Sequence, residues 1–250
     1  GTHFGFVPAR LVTDLQDALN WRVRALAIEE LQYMIRYLKD PGVLRAGLNE
    51  FMAFMTGLVK DPNFKIEINA LQIIGDVVGI VGADIAPHSA GIMRQLIEKL
   101  GDHKTLVRQA NGKVIVRLMR ALGPAPVCQE LVESLNNADS WRAREEILSL
   151  CMHALLAHGE APLDLAGMVP AVAECLNDQK PKVKYTAIET LAVVYSIIGS
   201  RIHPLLPKGL HERTLRMLEV RFSQPQLPTI TPEGVLELPS LPRPAGAPAE

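Results

Sequence analysis

Hydrophobic positions fall into five long stripes with a helical period. Val23, Ala27 and Leu31 open the series, and Ile66, Ala70 and Ile74 repeat it. Val107, Asn111 and Ile115 follow, then Ala143, Ile147 and Cys151, then Val183, Ala187 and Leu191. Spacing of i, i+4, i+8 puts each set on one face of a helix. Asn111 is the polar exception and needs a hydrogen-bond partner if it is buried. A short polar loop precedes each stripe: Ala18–Asn20, Lys60–Asn63, Gly101–Lys104, Asn136–Ser140 and Asn177–Pro181. These loops supply the N-cap types Asn20, Asn63, Asp102 or Thr105, Ser140 and Asp178. Shorter amphipathic segments lie before the last four loops, at Leu44–Val59, Ile85–Leu100, Cys128–Leu135 and Leu165–Leu176. Glycines follow the long apolar segments at Gly42, Gly82, Gly123, Gly159 and Gly199, where a left-handed helix C-cap is expected.

The stripes recur every 36–43 residues, each unit reading helix, tight turn, longer helix, glycine. A period of that length with two helices per unit is the signature of HEAT-type repeats. The fold class is therefore all-α, a HEAT-repeat α-solenoid. It has about five complete helix pairs, a partial sixth and an extended C-terminal tail. Residues 8–223 make the repeat domain and residues 1–7 read as a tag or linker. Leu205–Ser223 gives the one helix of the sixth pair, with Leu210, Leu215, Leu218, Val220 and Phe222 on its apolar side. Residues 224–250 hold seven of the chain's 18 prolines and read as a tail or linker. The first part of that tail, Leu227–Leu238, is apolar enough to pack back, extended, over the last repeat. A start without Met and a proline-rich end read as a domain excised from a longer chain.

Composition agrees with helix-on-helix packing: 48% of residues are hydrophobic and only 5% aromatic. Lys and Arg number 26 against 27 Asp and Glu, so the basic excess of a duplex-binding domain is missing and no nucleic-acid partner is expected. The longest apolar run, Ile73–Ala83, is too short to span a bilayer and is broken by Asp76, so no membrane role is expected. Cys128, Cys151 and Cys175 contain no CxxC pair and read as inert core cysteines of a reduced intracellular protein.

The starts of the long helices carry an unusual set of side chains. They read Trp21-Arg22, Phe64-Lys65, His103-Lys104, Trp141-Arg142 and Lys180-Pro181-Lys182, with Arg24, Arg108, Arg144 and Lys184 one turn further in. Both tryptophans of the chain occupy this one repeat position. The helix macrodipole favours acids at such ends, so cations at successive starts run against local stability. They point to an acidic partner surface, and aromatic and Arg side chains are the usual hot spots of protein interfaces. The alternative is that the tryptophans staple neighbouring turns and the cations are merely solvated.

Leu19-Asn-Trp-Arg-Val-Arg-Ala-Leu-Ala-Ile-Glu-Glu-Leu31 and Asn177-Asp-Gln-Lys-Pro-Lys-Val-Lys184 resemble the first and fifth turns of TOG domains. The TOG domains are HEAT-repeat paddles whose intra-repeat turns bind the tubulin heterodimer. The resemblance covers roughly residues 8–223 and is nearest to crescerin, the TOG-array family of cilia. It implies that Trp21 is the apolar anchor on tubulin, with Phe64 and Lys65 beside it. Lys104, Arg142 and Lys182 become the cations of the third to fifth turns, and Arg22, Arg108, Trp141, Lys180 and Lys184 complete the expected tubulin-binding set. The implied setting is a monomeric domain of a multi-TOG protein on microtubules, cytoplasmic and cytoskeletal, in the cilium, axoneme or basal body. The sixth pair lacks its second helix and departs from the family pattern. A general HEAT scaffold that docks a different protein is the alternative function.

Catalytic motifs fail on spacing. Gly75, Gly79 and Gly82 lie within a helical pattern and lack the Rossmann and P-loop intervals. His211-Glu212 has no second His for a zinc-protease motif. Cys151 and His153 diverge by about 200° on one helix and cannot act as nucleophile and base. Neither an enzyme, a metal site nor a cofactor is expected.

Overall fold

The structure, a computed structural model, describes residues 1–240. Residues 241–250 of the expected linker lie outside the described residues. The chain forms two compact units, Gly1–Glu130 and Leu131–Glu250. The first begins with a β-hairpin, β1 (Thr2–His3) and β2 (Val7–Pro8). Helices α1 (Ala9–Leu15), α2 (Trp21–Arg36), α3 (Pro41–Ala46), α4 (Leu48–Leu58) and α5 (Phe64–Val81) follow. A 3-10 turn at Gly82–His88 leads to α6 (Ser89–Glu98) and α7 (Thr105–Leu122). Helix α8 (Pro124–Asn137) runs from the first unit into the second. The second unit contains α9 (Trp141–His158), α10 (Leu165–Glu174), α11 (Pro181–Ile198), α12 (Glu212–Phe222), β3 (Thr229–Ile230) and β4 (Leu236–Glu237).

The long helices pack side by side within each unit, α2 on α5 and α5 on α7 in the first, α9 on α11 in the second. The stripes read from the sequence form these contacts. Ala27, Leu31, Ala70, Ile74, Ile115, Ile147, Cys151, Ala187 and Leu191 are all buried. Fully buried Asn111 donates from Nδ2 to the Leu96 carbonyl at 2.8 Å, the partner its position demands. By length and composition Phe64–Glu98 could pass for a membrane span. It breaks at Gly82, carries Pro87 in the 3-10 turn, and α5 is covered by α2 and α7.

Asn20, Asn63 and Ser140 cap α2, α5 and α9 as their side-chain chemistry requires. Asp102 and Asp178 do not. They stand two residues before the capping residues Lys104 and Lys180 and accept from those residues' amides at 2.8 and 2.9 Å. Thr105 is the first residue of α7. Gly82 and Gly199 end α5 and α11 at φ +57° and +59° with ψ near −130°, a conformation that a Cβ disfavours. Gly42 is not a helix end. It lies inside α3, and α2 ends at Arg36 with Tyr37 as its C-cap.

Residues 1–7, expected as a tag or linker, pack on the first unit: the Phe4 ring lies 5.5 and 5.4 Å from those of Phe51 and Phe54, and Val7 is fully buried. Gly47, between α3 and α4, has no room for a side chain, since the Phe4 carbonyl oxygen lies 2.7 Å from where a Cβ would stand. At the other end the sixth repeat has α12 alone, but its inward residues are Leu218 and Arg221, while Leu215 and Val220 are exposed. Arg221 is buried because Glu189 of α11, also buried, accepts from its Nε and Nη2 at 2.8 and 2.9 Å. The same guanidinium donates to the carbonyls of Gln224 and Gln226, tying the start of the tail down. The tail then folds into the β3–β4 hairpin, with Ile230 opposite Leu236, against α9, and the Tyr185 hydroxyl of α11 donates to the Pro239 carbonyl at 3.4 Å.

Candidate functional site

Each turn that opens a long helix is a small rigid construction. In the first, the Asp17 carboxylate accepts from the amides of Leu19 and Asn20, both at 3.0 Å. The Asn20 side chain then accepts from the amides of Arg22 and Val23. Trp21 is thereby held as the first residue of α2, 42% exposed, with the Arg22 guanidinium 4.8 Å from its ring centroid. In the second turn Asp61 accepts from the Asn63 amide at 2.8 Å, and Asn63 caps α5. Phe64 is 37% exposed there and Lys65 is exposed beside it. In the third turn Lys104 extends over the Phe64 ring at 5.7 Å, so the second and third turns adjoin.

The turns of a unit are joined by arginine. Arg24 donates from Nε and Nη2 to the two Asp61 oxygens at 2.8 and 3.1 Å, and from Nη1 to the Asp17 carbonyl at 2.8 Å. One side chain thus grips its own turn and the next, with only 10% of Arg24 and 6% of Asp61 side-chain surface exposed. The second unit repeats the device. Arg144 binds both Asp178 oxygens at 2.6 and 3.3 Å and donates to the Ala138 and Asp139 carbonyls. Burial pushes the Asp178 carboxyl up, but hydrogen bonds from Arg144 and the Lys180 amide, with the charges of Arg144 and Lys184, outweigh it and hold the group below its ordinary value. In α5 the corresponding position is Glu67, which pairs instead with Lys99 at 2.6 Å.

In the second unit Ser140 caps α9 through the Ala143 amide, and Pro181 opens α11, where a missing N–H is harmless. Trp141, half buried, has Arg142 at 4.6 Å, Lys180 at 5.7 Å and Lys182 at 5.9 Å from its ring centroid. Lys184 is exposed one turn in.

The expected residues therefore gather on one edge of each unit: Trp21, Arg22, Phe64, Lys65 and Lys104 in the first, Trp141, Arg142, Lys180, Lys182 and Lys184 in the second. Among the described residues none of their cations forms an ion pair. Arg108 stands apart. It is half buried and its Nη1 donates to the Asp102 carbonyl at 2.6 Å, so this side chain braces the third turn from within. Sequence reasoning missed Leu19, which is 98% exposed at the tip of the first turn, and Leu106, 59% exposed in the third. Leu19 carried a signal, because it lies before the N-cap and outside the periodic stripe that begins at Val23.

The described residues contain no group of three His, Cys, Asp or Glu side chains able to hold a metal ion. All three cysteines are buried, and among the described residues none forms a disulfide. Burial pushes the thiols of Cys128 and Cys175 up to about 12 and about 11, far from a reactive thiolate.

Comparison with known proteins agrees with this architecture. Residues 38–191 match the family model described as EF3 N-terminal HEAT repeat. Human TOG array regulator of axonemal microtubules protein 1 is 27% identical over 242 residues, covering 94% of this chain and 14% of that protein. The Drosophila melanogaster CLIP-associating protein is 30% identical over 205 residues, covering 80% of this chain and 13% of that protein. The chain thus spans only about a seventh of the length of these curated relatives. A solved structure described as "Crescerin uses a TOG domain array to regulate microtubules in the primary cilium" superposes with a TM-score of 0.80 at 26% identity, covering 95% of this chain and 98% of that one. With stacked helix pairs, aromatic and cationic turns and these relatives in place, the chain belongs to the HEAT-repeat family and, within it, is a TOG domain of the crescerin and TOG-array type.

Proposed function

We propose that this domain binds the tubulin heterodimer through the turns of both units and so contributes to the regulation of microtubule dynamics. The observation that carries the reading is the state of the edge residues. Trp21 is held open to solvent by a rigid capped turn, and the cations around it and around Trp141 have no acidic partner among the described residues. An exposed indole beside cations without an acidic partner suits a partner with an apolar recess in an acidic surface. The names of the relatives support tubulin as that partner, since they describe regulators of microtubules. They also place those relatives in axonemes and primary cilia, which supports a cytoskeletal and, more finely, a ciliary setting for this chain. The domain acts as a monomer within a longer protein bearing several such domains, where linked copies multiply modest affinities. Its activity is binding, not catalysis.

Gel filtration of the domain with unpolymerised tubulin in low salt tests the reading. Co-elution that Trp21→Ala abolishes supports it. Independent elution, in conditions where an authentic tubulin binder co-migrates, overturns it.

A further inference from the structure

Trp21 and Trp141 both open a long helix, yet their surroundings differ. Trp21 has a single cation, Arg22, on its ring and keeps 42% of its surface open. Trp141 is half buried and faces three cations: Arg142 from its own helix, Lys180 at the α11 N-cap and Lys182 from the first turn of α11. Three like charges within 6 Å of one ring centroid repel one another, and the positive ends of α9 and α11 add to that repulsion. The protein does not neutralise them from within. Of the acids in the two turns, Asp178 has its oxygens taken by Arg144 and the Lys180 amide, and exposed Asp139 forms no ion pair among the described residues. Among the described residues no carboxylate pairs with Arg142, Lys180 or Lys182. What holds them is the negative face of the indole, which attracts a cation at this range.

We infer that Trp141 is a positioning residue that gathers Arg142, Lys180 and Lys182 into one carboxylate-binding cluster, and that an acidic segment of the partner docks there. The inference rests on the tubulin-binding reading and divides the labour of that site. Trp21 is the apolar anchor, insensitive to salt, while the Trp141 cluster supplies salt-sensitive attraction. Carboxylates, rather than a nucleic-acid backbone, fit a cluster confined to two adjoining turns in a chain of net charge −1.

The test is the affinity for unpolymerised tubulin across a salt series. Lys180→Ala/Lys182→Ala is expected to weaken binding about tenfold at low salt and to flatten the salt dependence. Trp141→Leu is expected to weaken binding about fivefold with the same flattening, and Trp141→Phe to restore most of it, because the ring face is what orders the cations. Trp21→Ala should weaken binding at every salt concentration and leave the slope unchanged. If Trp141→Leu keeps the wild-type slope, or Trp141→Phe fails to rescue, the positioning role is wrong even though tubulin binding stands. Should Trp141→Leu fold poorly, the exposed double lysine variant carries the test. If the unaltered domain does not bind tubulin, the functional reading falls and the cluster is tested alone. Hexaglutamate is then titrated against the Trp141 emission of a Trp21→Phe variant, with the intact chain. A saturable, salt-sensitive change supports the cluster. No change, or tighter binding of a single-stranded oligonucleotide, overturns it.

Discussion

Arg22 and Arg24 sit two residues apart in the same helix, and the structure gives them opposite tasks. Arg24 makes three hydrogen bonds, two to the Asp61 carboxylate and one to the Asp17 carbonyl. Its replacement by Ala removes all three and leaves a carboxylate with 6% of its side-chain surface exposed, supported only by the Asn63 amide. Losing one member of a buried ion pair costs about 3–5 kcal/mol, and the slight exposure of this pair places Arg24→Ala at about 3 kcal/mol. For a chain of this size that lowers the Tm by about 6–12 °C. Arg22 has only the exposed indole beneath it. Arg22→Ala should therefore change stability by less than about 1 kcal/mol while weakening tubulin binding. Thermal unfolding followed by circular dichroism, with tubulin affinity measured on the same preparations, separates the two. Equal melting temperatures for the two variants would refute the arginine grip as the device that fixes the turns.

The buried Glu189–Arg221 pair gives a related contrast. Arg221→Ala should destabilise the second unit by about 3–5 kcal/mol, whereas Glu189→Leu/Arg221→Met should recover much of that in denaturant unfolding, since the orphaned charge is gone. Asp178 titrates lower in the folded protein than its ordinary value of about 4, so its contribution is fully present above that range and is lost as pH falls through the folded value. Asp178→Asn should lower the Tm at neutral pH and reduce the further loss on acidification below about pH 4, read from melts across a pH series. Leu19→Ser should leave the Tm unchanged, since the side chain is 98% exposed, but weaken tubulin binding about threefold to tenfold in a titration if the first turn is the apolar contact.

Most of the repeat architecture was legible because helical burial leaves a period in the sequence. The residues at Ala27, Ala70, Ala187 and their partners face inward as their spacing requires. The candidate edge was legible because aromatic and cationic residues at helix starts run against the macrodipole and so stand out. The inner arginines were harder. Arg22 and Arg24 look alike as letters, but two residues turn a helix by about 200°, and Arg24 lies three and four residues before buried Ala27 and Ile28. Arg144 stands in the same relation to Ile147 and Leu148, so spacing, had it been given precedence over charge, would have placed both inside. Arg221 hides behind the same prejudice three residues after buried Leu218. The N-terminal hairpin left no signal, because two-residue strands are too short to show alternation and Phe4 adopts a φ of +58° that no pattern announces.

The proposed surface that meets tubulin is the turn edge of each unit. Hydrogen–deuterium exchange of the domain, alone and with saturating unpolymerised tubulin, maps that surface directly. Protection is expected at residues 17–24, 61–67 and 102–108 of the first unit and 139–144 and 178–184 of the second. Little is expected at the opposite helix ends near Gly82, Gly123, Gly159 and Gly199, about 27 Å along the long helices. Protection concentrated at those glycine ends, with the aromatic and cationic turns unchanged, would contradict it.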